Sequence, residues 1–339
     1  MPGPPLPLGY NTYCLRALRW PDSKHLEFAA EQRLDAIFLQ DSLDPRAMDA
    51  AHWAEVRTLA QRLGLHLETG GGGILPKTAG GIETSIANLR KQIERAAAMG
   101  SPFVRGVLAG DRASFGVPVE QAMEWAVKIL RAVRPDLSGR GIKAIIEVHK
   151  DLQAWELRQV IEAAGKDLVG VYMDTGNPVF VLEHPMTTLE TLAPYIESAH
   201  LRDSVVYEHP RGVAVQWVPL GEGVVDFKAI VARLAELRPQ VHVYNKPITG
   251  RPPAVIPYLD PAYWKMFPQA RAGELAKFLD LARKGHPFEG HMVIEDLPGR
   301  QTPAEFLAAV QFQQRDHVTR GLEYAKNVLG LGRRWRAAA

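Results

Sequence analysis

The segments IIEVHKD (Ile145–Asp151), VYMDTGNP (Val171–Pro178) and SAHLRDS (Ser198–Ser204) have the same construction. Each is an apolar strand-like run that ends in a group able to bind a metal: Glu147, Asp174 and His200. They recur about every 25 residues, the repeat expected when strands alternate with helices in a β/α barrel. Barrel strands deliver their C-terminal ends to one mouth, so three ligand-type groups at such ends imply a divalent-metal enzyme.

The same kind of run occurs at Leu8–Cys14, Leu34–Asp41, Leu65–Gly70, Phe103–Gly110, Ile142–His149, Leu168–Asp174, Ile196–Asp203 and Val241–Gly250. Stretches with helical spacing lie between them, including Ile82–Met99, Val119–Val133 and Asp226–Leu237, the last opening on Asp226 as N-cap. Alternation without a composition break favours a closed α/β (β/α)8 TIM barrel over an open doubly wound sheet. The glycines Gly70–Gly73 are not followed at once by a helix, so they read as a flexible loop and not as a nucleotide cradle. The barrel is assigned to residues 1–250 and a C-terminal extension to 251–339. In the extension, Glu274–Lys284 and Pro303–Val328 read as helices and His291–Gly299 as extended chain. Tyr258, Tyr263, Trp264 and Phe267 form an aromatic cluster there, suited to packing or to a substrate lid. An extension of about 90 residues is expected to cover a site or pack on the barrel or a subunit interface, so a homo-oligomer is compatible.

The chain has 339 residues, 46% of them hydrophobic, and a net charge of +2. It can bury one large core. Its basic residues are scattered, which argues against nucleic acid, and the Arg333, Arg334 and Arg336 cluster reads as a solvated tail. No apolar run is long enough for a membrane span. The single Cys14 excludes an intrachain disulfide and reads as a small core residue, and the first residues lack the features of a secretory signal; both fit a cytoplasmic protein.

Side chains alternate along a strand, so parity tests which residues meet. Ile145, Glu147 and His149 share one face, as do Tyr172 and Asp174, and Ser198, His200 and Arg202. With these faces inward, Glu147, Asp174 and His200 form a mixed oxygen and nitrogen site suited to Mn²⁺, Co²⁺, Mg²⁺ or Zn²⁺. Each residue alone also has a bland reading as a cap, a turn residue or a core histidine. His149 is a candidate general base. Arg202, Trp217 and Glu68 are candidates for holding a carbohydrate substrate, and Arg202 and Asp203 are also placed to pair with each other.

EVHKD, MDTGNP, AHLRDS and VPLGEGVVDFKAI (Val218–Ile230) together resemble the xylose-isomerase-like barrels of sugar isomerases and epimerases. That group also includes metal-dependent abasic-site endonucleases and keto-sugar-acid decarboxylases. The resemblance spans strands 1 to 8. It implies that Glu147, Asp174 and His200 take three of four places around one divalent metal, and that Glu147 also moves protons next to a keto group. The fourth place, a glutamate in the family, falls on Asn245 or Lys246, and parity favours Lys246. A protonated ammonium cannot ligate a metal. Three arrangements are open: a metal with three protein ligands, a metal completed by Glu295, or Lys246 in place of the metal.

The reading that follows is a metal-dependent isomerase or epimerase forming an enolate from a keto-sugar or sugar acid. The alternative is a decarboxylase or lyase of a 3-oxo sugar acid or 3-keto glycoside, with Lys246 holding an anionic group. A metal-free noncatalytic barrel is the rival of another class. An abasic-site endonuclease is disfavoured by near-neutral charge and a sparse ligand set.

Overall fold

In the computed structural model, residues 5–291 and 301–338 are described. The expected extended segment at His291–Gly299, with Glu295, lies outside these residues apart from His291.

Eight parallel strands close into a barrel: β1 (Leu8–Asn11), β2 (Ala36–Gln40), β3 (His66–Gly73), β4 (Phe103–Val107), β5 (Lys143–Glu147), β6 (Val169–Asp174), β7 (Ile196–Leu201) and, after a hairpin of β8 (Asp203–His209) and β9 (Gly212–Val218), β10 (His242–Asn245). β10 pairs with both β7 and β1, which shuts the ring. β11 (Ala254–Ile256) adds to β9 in a separate three-stranded sheet. The helices in chain order are α1 (Asp22–Glu31), α2 (Ala50–Arg62), α3 (Ile82–Met99), α4 (Val119–Ala132), α5 (Arg134–Arg140), α6 (Ala154–Ala164), α7 (Pro185–Leu192), α8 (Phe227–Leu237), α9 (Ala272–Lys284) and α10 (Ala304–Asn327). Among the described residues no helix is long and apolar enough to cross a membrane.

The period-two pattern of the strands sorts two cores. Val169, Val171 and Met173 of β6, with Ala144 and Ile146 of β5, face the helices. Tyr172, Ile145, Tyr244, Phe38 and Ala36 fill the barrel interior instead. Ile86, Leu89 and Ile93 of α3 pack on the outer core, each worth about 1.5–3 kcal/mol of burial. The Asp226 side chain accepts from Ala229 N and starts α8, as its position implies. Cys14 is buried.

Two local expectations are corrected and one element is added. Gly70–Gly73 is not a loop: β3 continues through it, with a register shift against β4. A Cβ on Gly70 would stand 2.2 Å from the Arg105 carbonyl oxygen, so glycine is what lets β4 approach. The hairpin β8–β9 directly after β7 was not foreseen, although the alternation in VAVQWV beyond His209-Pro210-Arg211-Gly212 carries its signal. The C-terminal arginines are not a free tail. Arg333 N and Arg334 N donate to the Asp35 carboxylate, and the two side chains reach the backbone of Pro5, Leu34 and Gly64.

The C-terminal part packs on the barrel. Ile256, Phe278 and Ala282 form a second small core with Val206, Val213 and Val215 of the hairpin, and Tyr258, Tyr263 and Trp264 pack against it. α10 covers the end of β10: Asn245 Nδ2 donates to Val318 O, and Thr249 Oγ1 meets His317 Nδ1 at 2.5 Å. Gly321 permits this contact, since a Cβ there would lie 2.7 Å from Asn245 Oδ1.

Candidate active site

The inward parity of β5, β6, β7 and β10 brings Glu147, Asp174, His200 and Lys246 together at the mouth. Tyr172 pairs in register with Glu147 and with Ser198, Asp174 with His200, and His200 with Tyr244. Asn245 faces α10, so Lys246 turns inward, as parity implies. All four are at least 96% buried.

Lys246 Nζ donates to Glu147 Oε1 at 2.6 Å, lies 3.1 Å from His200 Nδ1 and 3.8 Å from Asp174 Oδ2. Two arginines complete the cluster. Arg202 Nε is 3.2 Å from Asp174 Oδ2, and Arg105 Nε is 3.3 Å from Glu147 Oε2. Arg105 is itself aimed by the Gly71 carbonyl and the Gln40 amide oxygen, at 2.7 and 2.8 Å. Asp174 Oδ1 accepts from Gly176 N and Asn177 N, a use of the DTGN turn that leaves Oδ2 facing the cations.

Burial alone would raise the Glu147 carboxyl, but Lys246 and Arg105 hold it well below the ordinary carboxylate range. Burial carries Asp174 up to about 6 against the pull of Arg202 and Lys246. Burial and then Lys246 push the His200 imidazolium well below its usual value, so the ring is neutral. Burial also lowers His149, to about 3. Lys246 is pulled down to about 8 by burial and Arg202, against Glu147 and Asp174, and remains an ammonium at neutral pH.

A cavity of 480 Å³ opens above this group. Its lining includes Glu147, His149, Arg202, Trp217 and Lys246 of the expected residues. Asp174 and His200 do not line it and connect to it through Lys246 and Arg202. Glu68 stands apart, deeper in the barrel, where it accepts from Ser198 Oγ and lies 3.3 Å from His66 Nε2. Trp217 carries the Arg202 guanidinium over its ring at 4.5 Å, so a cation occupies that stacking position. Arg202 and Asp203 do not pair: Asp203 accepts from the backbone N–H groups of Ser204, Gly221, Gly223 and Val225 and holds the PLGEG turn. The aromatic cluster of the extension does not line the cavity; Phe267 lies under Arg112, which is tied to Glu156.

Sequence reasoning missed Arg105, Lys150 and Arg251. Arg105 had a signal, a charged residue inside an apolar strand. Lys150 and Arg251 sit in loops, where nothing local tells a solvated cation from one turned into a cavity. With them, five cationic side chains and one carboxylate line the cavity. Glu147 Oε2, Arg105 Nε and Arg202 Nε meet their ion-pair partners, whereas His149 Nδ1 and Trp217 Nε1 are buried and without a hydrogen-bond partner among the described residues. Such atoms are unusual unless a ligand satisfies them.

Glu147, Asp174 and His200 offer one ligand atom each within 4.8 Å of one another, a donor set of the kind that holds a divalent ion. The arrangement around them does not fit one. The Lys246 ammonium stands among the three ligand atoms. Lys246, Arg105 and Arg202 already outnumber the two carboxylates.

The family described as xylose isomerase-like TIM barrel matches residues 26–245. The uncharacterized protein YihM of Escherichia coli K12 is 30% identical over 116 residues, which is 33% of this chain and about a third (36%) of that protein's length. The 3-oxo-isoapionate decarboxylase of Pectobacterium atrosepticum is 23% identical over 207 residues, 60% of this chain and 70% of that enzyme. A crystal structure of D-psicose 3-epimerase in the presence of D-fructose superposes with a TM-score of 0.62 at 16% identity, covering 96% of this chain and 100% of that one.

Proposed function

From the premise that the chain belongs to the xylose isomerase-like TIM barrel family, we propose that it decarboxylates a 3-oxo sugar acid. One observation carries this reading: Lys246 holds the Glu147 carboxylate at 2.6 Å in a cavity whose lining residues include five cationic side chains. A cavity of 480 Å³ suits a small carbohydrate, and its excess of cations selects an anionic one. The His149 Nδ1 and Trp217 Nε1 atoms, buried and without a hydrogen-bond partner among the described residues, are matched to sugar hydroxyls.

A 3-oxo acid needs no base to begin. The bond between the carboxylate carbon and C2 breaks, CO₂ leaves, and the electron pair moves onto the keto oxygen as an enolate. Lys246 and Arg105 neutralise that charge in a site built before the reaction starts. The C2 carbon then takes up a proton, and Lys246 is the acid in reach, recharged from solvent. Glu147 acts as the counter-ion that holds Lys246. The decarboxylase among the relatives supports the class of reaction, and the cytoplasm is the compartment we assign to it.

The second reading is a keto-sugar isomerase or epimerase. A base must then remove a proton, and Glu147 is too strongly bound by cations for that task. His149, neutral and facing the cavity, is the residue that keeps this reading open. The test is a screen of 3-oxo sugar acids labelled with ¹³C at the carboxylate. Labelled CO₂ released in step with product is the expected result. Solvent deuterium entering the substrate without CO₂ release would replace decarboxylation by isomerisation.

A further inference from the structure

We infer that this barrel works without a divalent ion, the ammonium of Lys246 being the resident cation of the Glu147–Asp174–His200 group. Its nitrogen is 2.6 Å from Glu147 Oε1, 3.1 Å from His200 Nδ1 and 3.8 Å from Asp174 Oδ2, so it faces each of the three atoms an ion would need. His200 Nε2 meets the Asn11 amide nitrogen at 3.0 Å, so both ring nitrogens already have a neighbour.

The lysine has no easy way out. Lys246 N donates to Leu201 O, and Asn245 before it is pinned by Val318 O of α10. Thr249, three residues on, is held by His317. Lys246 is only 4% exposed, and Arg202 and Arg105 flank the same two carboxylates. A divalent ion would enter a group that already holds three monovalent cations for two acids. Among the described residues, no fourth acid joins the three ligand atoms.

Lys246 thus does with a single fixed charge what an ion does elsewhere: it holds the acids in place and presents a positive centre to the cavity. The substitution trades a Lewis acid for a proton donor, which suits an enolate that must finally be protonated.

The test is metal content and thermal stability of the full-length protein, measured without substrate and so independently of the decarboxylase reading. Wild type purified without chelator, exposed to excess Mn²⁺, Co²⁺, Mg²⁺ or Zn²⁺ and desalted, should retain below about 0.1 ion per chain. Its Tm should shift by less than about 1 °C with metal or with EDTA, since a ligand that binds the folded state alone must raise Tm. Lys246→Glu should retain about one ion per chain and gain Tm with metal. Lys246→Gln, which keeps the stem and removes the charge, should do the same more weakly if Lys246→Glu does not fold. Wild type holding about one ion that Asp174→Ala loses would overturn the inference. So would foldable Lys246 variants that stay metal-free, because something other than the lysine would then exclude the ion.

Discussion

Glu147, Asp174 and His200 at the mouth and Asp22, Asp44 and His52 on the flank are the same kinds of side chain, all buried, with ligand atoms within 4.8 Å in each group. They differ in what surrounds them. On the flank, Asp44 accepts from Asp22 N and Arg46 N, and His52 Nε2 meets Asp22 Oδ2 at 3.0 Å. Three of the four carboxylate oxygens meet backbone N–H groups or His52, which fastens the loop after β2 to the starts of α1 and α2, while Asp22 Oδ1 has no hydrogen-bond partner among the described residues. At the mouth, the carboxylates are met instead by full cations from three other segments: Arg105 of β4, Arg202 after β7 and Lys246 after β10. Side-chain identity does not separate a site from a fastening. The charge of the groups that meet the oxygens does.

The contrast predicts opposite responses to mutation. The largest effect is expected at the mouth. Lys246→Met removes the charge that binds Glu147 and would hold an enolate, so turnover should fall on the order of 10²- to 10³-fold. Steady-state kinetics at saturating substrate, on protein shown to be folded by circular dichroism, checks this. Unchanged turnover would make Lys246 a mere structural counter-ion, and the two clusters would then be equivalent.

The next effect is in the pH profile. Burial and Arg202 lower Lys246 to about 8, so kcat/KM should fall about tenfold per unit above pH 8 as the ammonium is lost. The sign for stability is opposite. An unfolded chain keeps this proton up to the ordinary 10.5, so between about 8 and 10.5 the lysine contributes a rise of stability with pH. Loss of rate there, with the fold intact by fluorescence, distinguishes titration from unfolding. A flat profile up to pH 10 would remove Lys246 from the chemistry.

The smallest effect on catalysis belongs to the flank. Asp44→Ala leaves the N–H groups of Asp22 and Arg46 without their acceptor. It should cost about 2 kcal/mol in urea unfolding while kcat/KM stays within about twofold. A large loss of activity at full stability would mean that the flank cluster is itself functional.

Much of the barrel was legible because its signals are local. β6 exposes one set of side chains to the helices and the other to the interior, and counting by two assigns Tyr172 and Asp174 correctly. The same count turned Lys246 inward and Asn245 outward. Where the chain departs from local rule, reading failed. Gly70–Gly73 looks like a loop by composition, but β3 runs through it, and at Gly70 β4 passes too close for a side chain. Arg333 and Arg334 look like a solvated tail, but Asp35, distant in sequence, collects their backbone N–H groups.

The sequence by itself therefore determined the alternation of strands and helices, the face each strand turns inward, and the presence of Glu147, Asp174, His200 and Lys246 at one mouth. These follow from the two-residue period of extended chain and the common direction of barrel strands. Only the tertiary structure decided which charge meets which. That Lys246 lies against Glu147 across 99 positions of sequence, that Arg105 comes from β4 to share the same carboxylate, and that Lys150 and Arg251 turn into the cavity depend on strand register and loop path. Electrostatic partnership is a property of distances between segments, and no pattern within a segment encodes it.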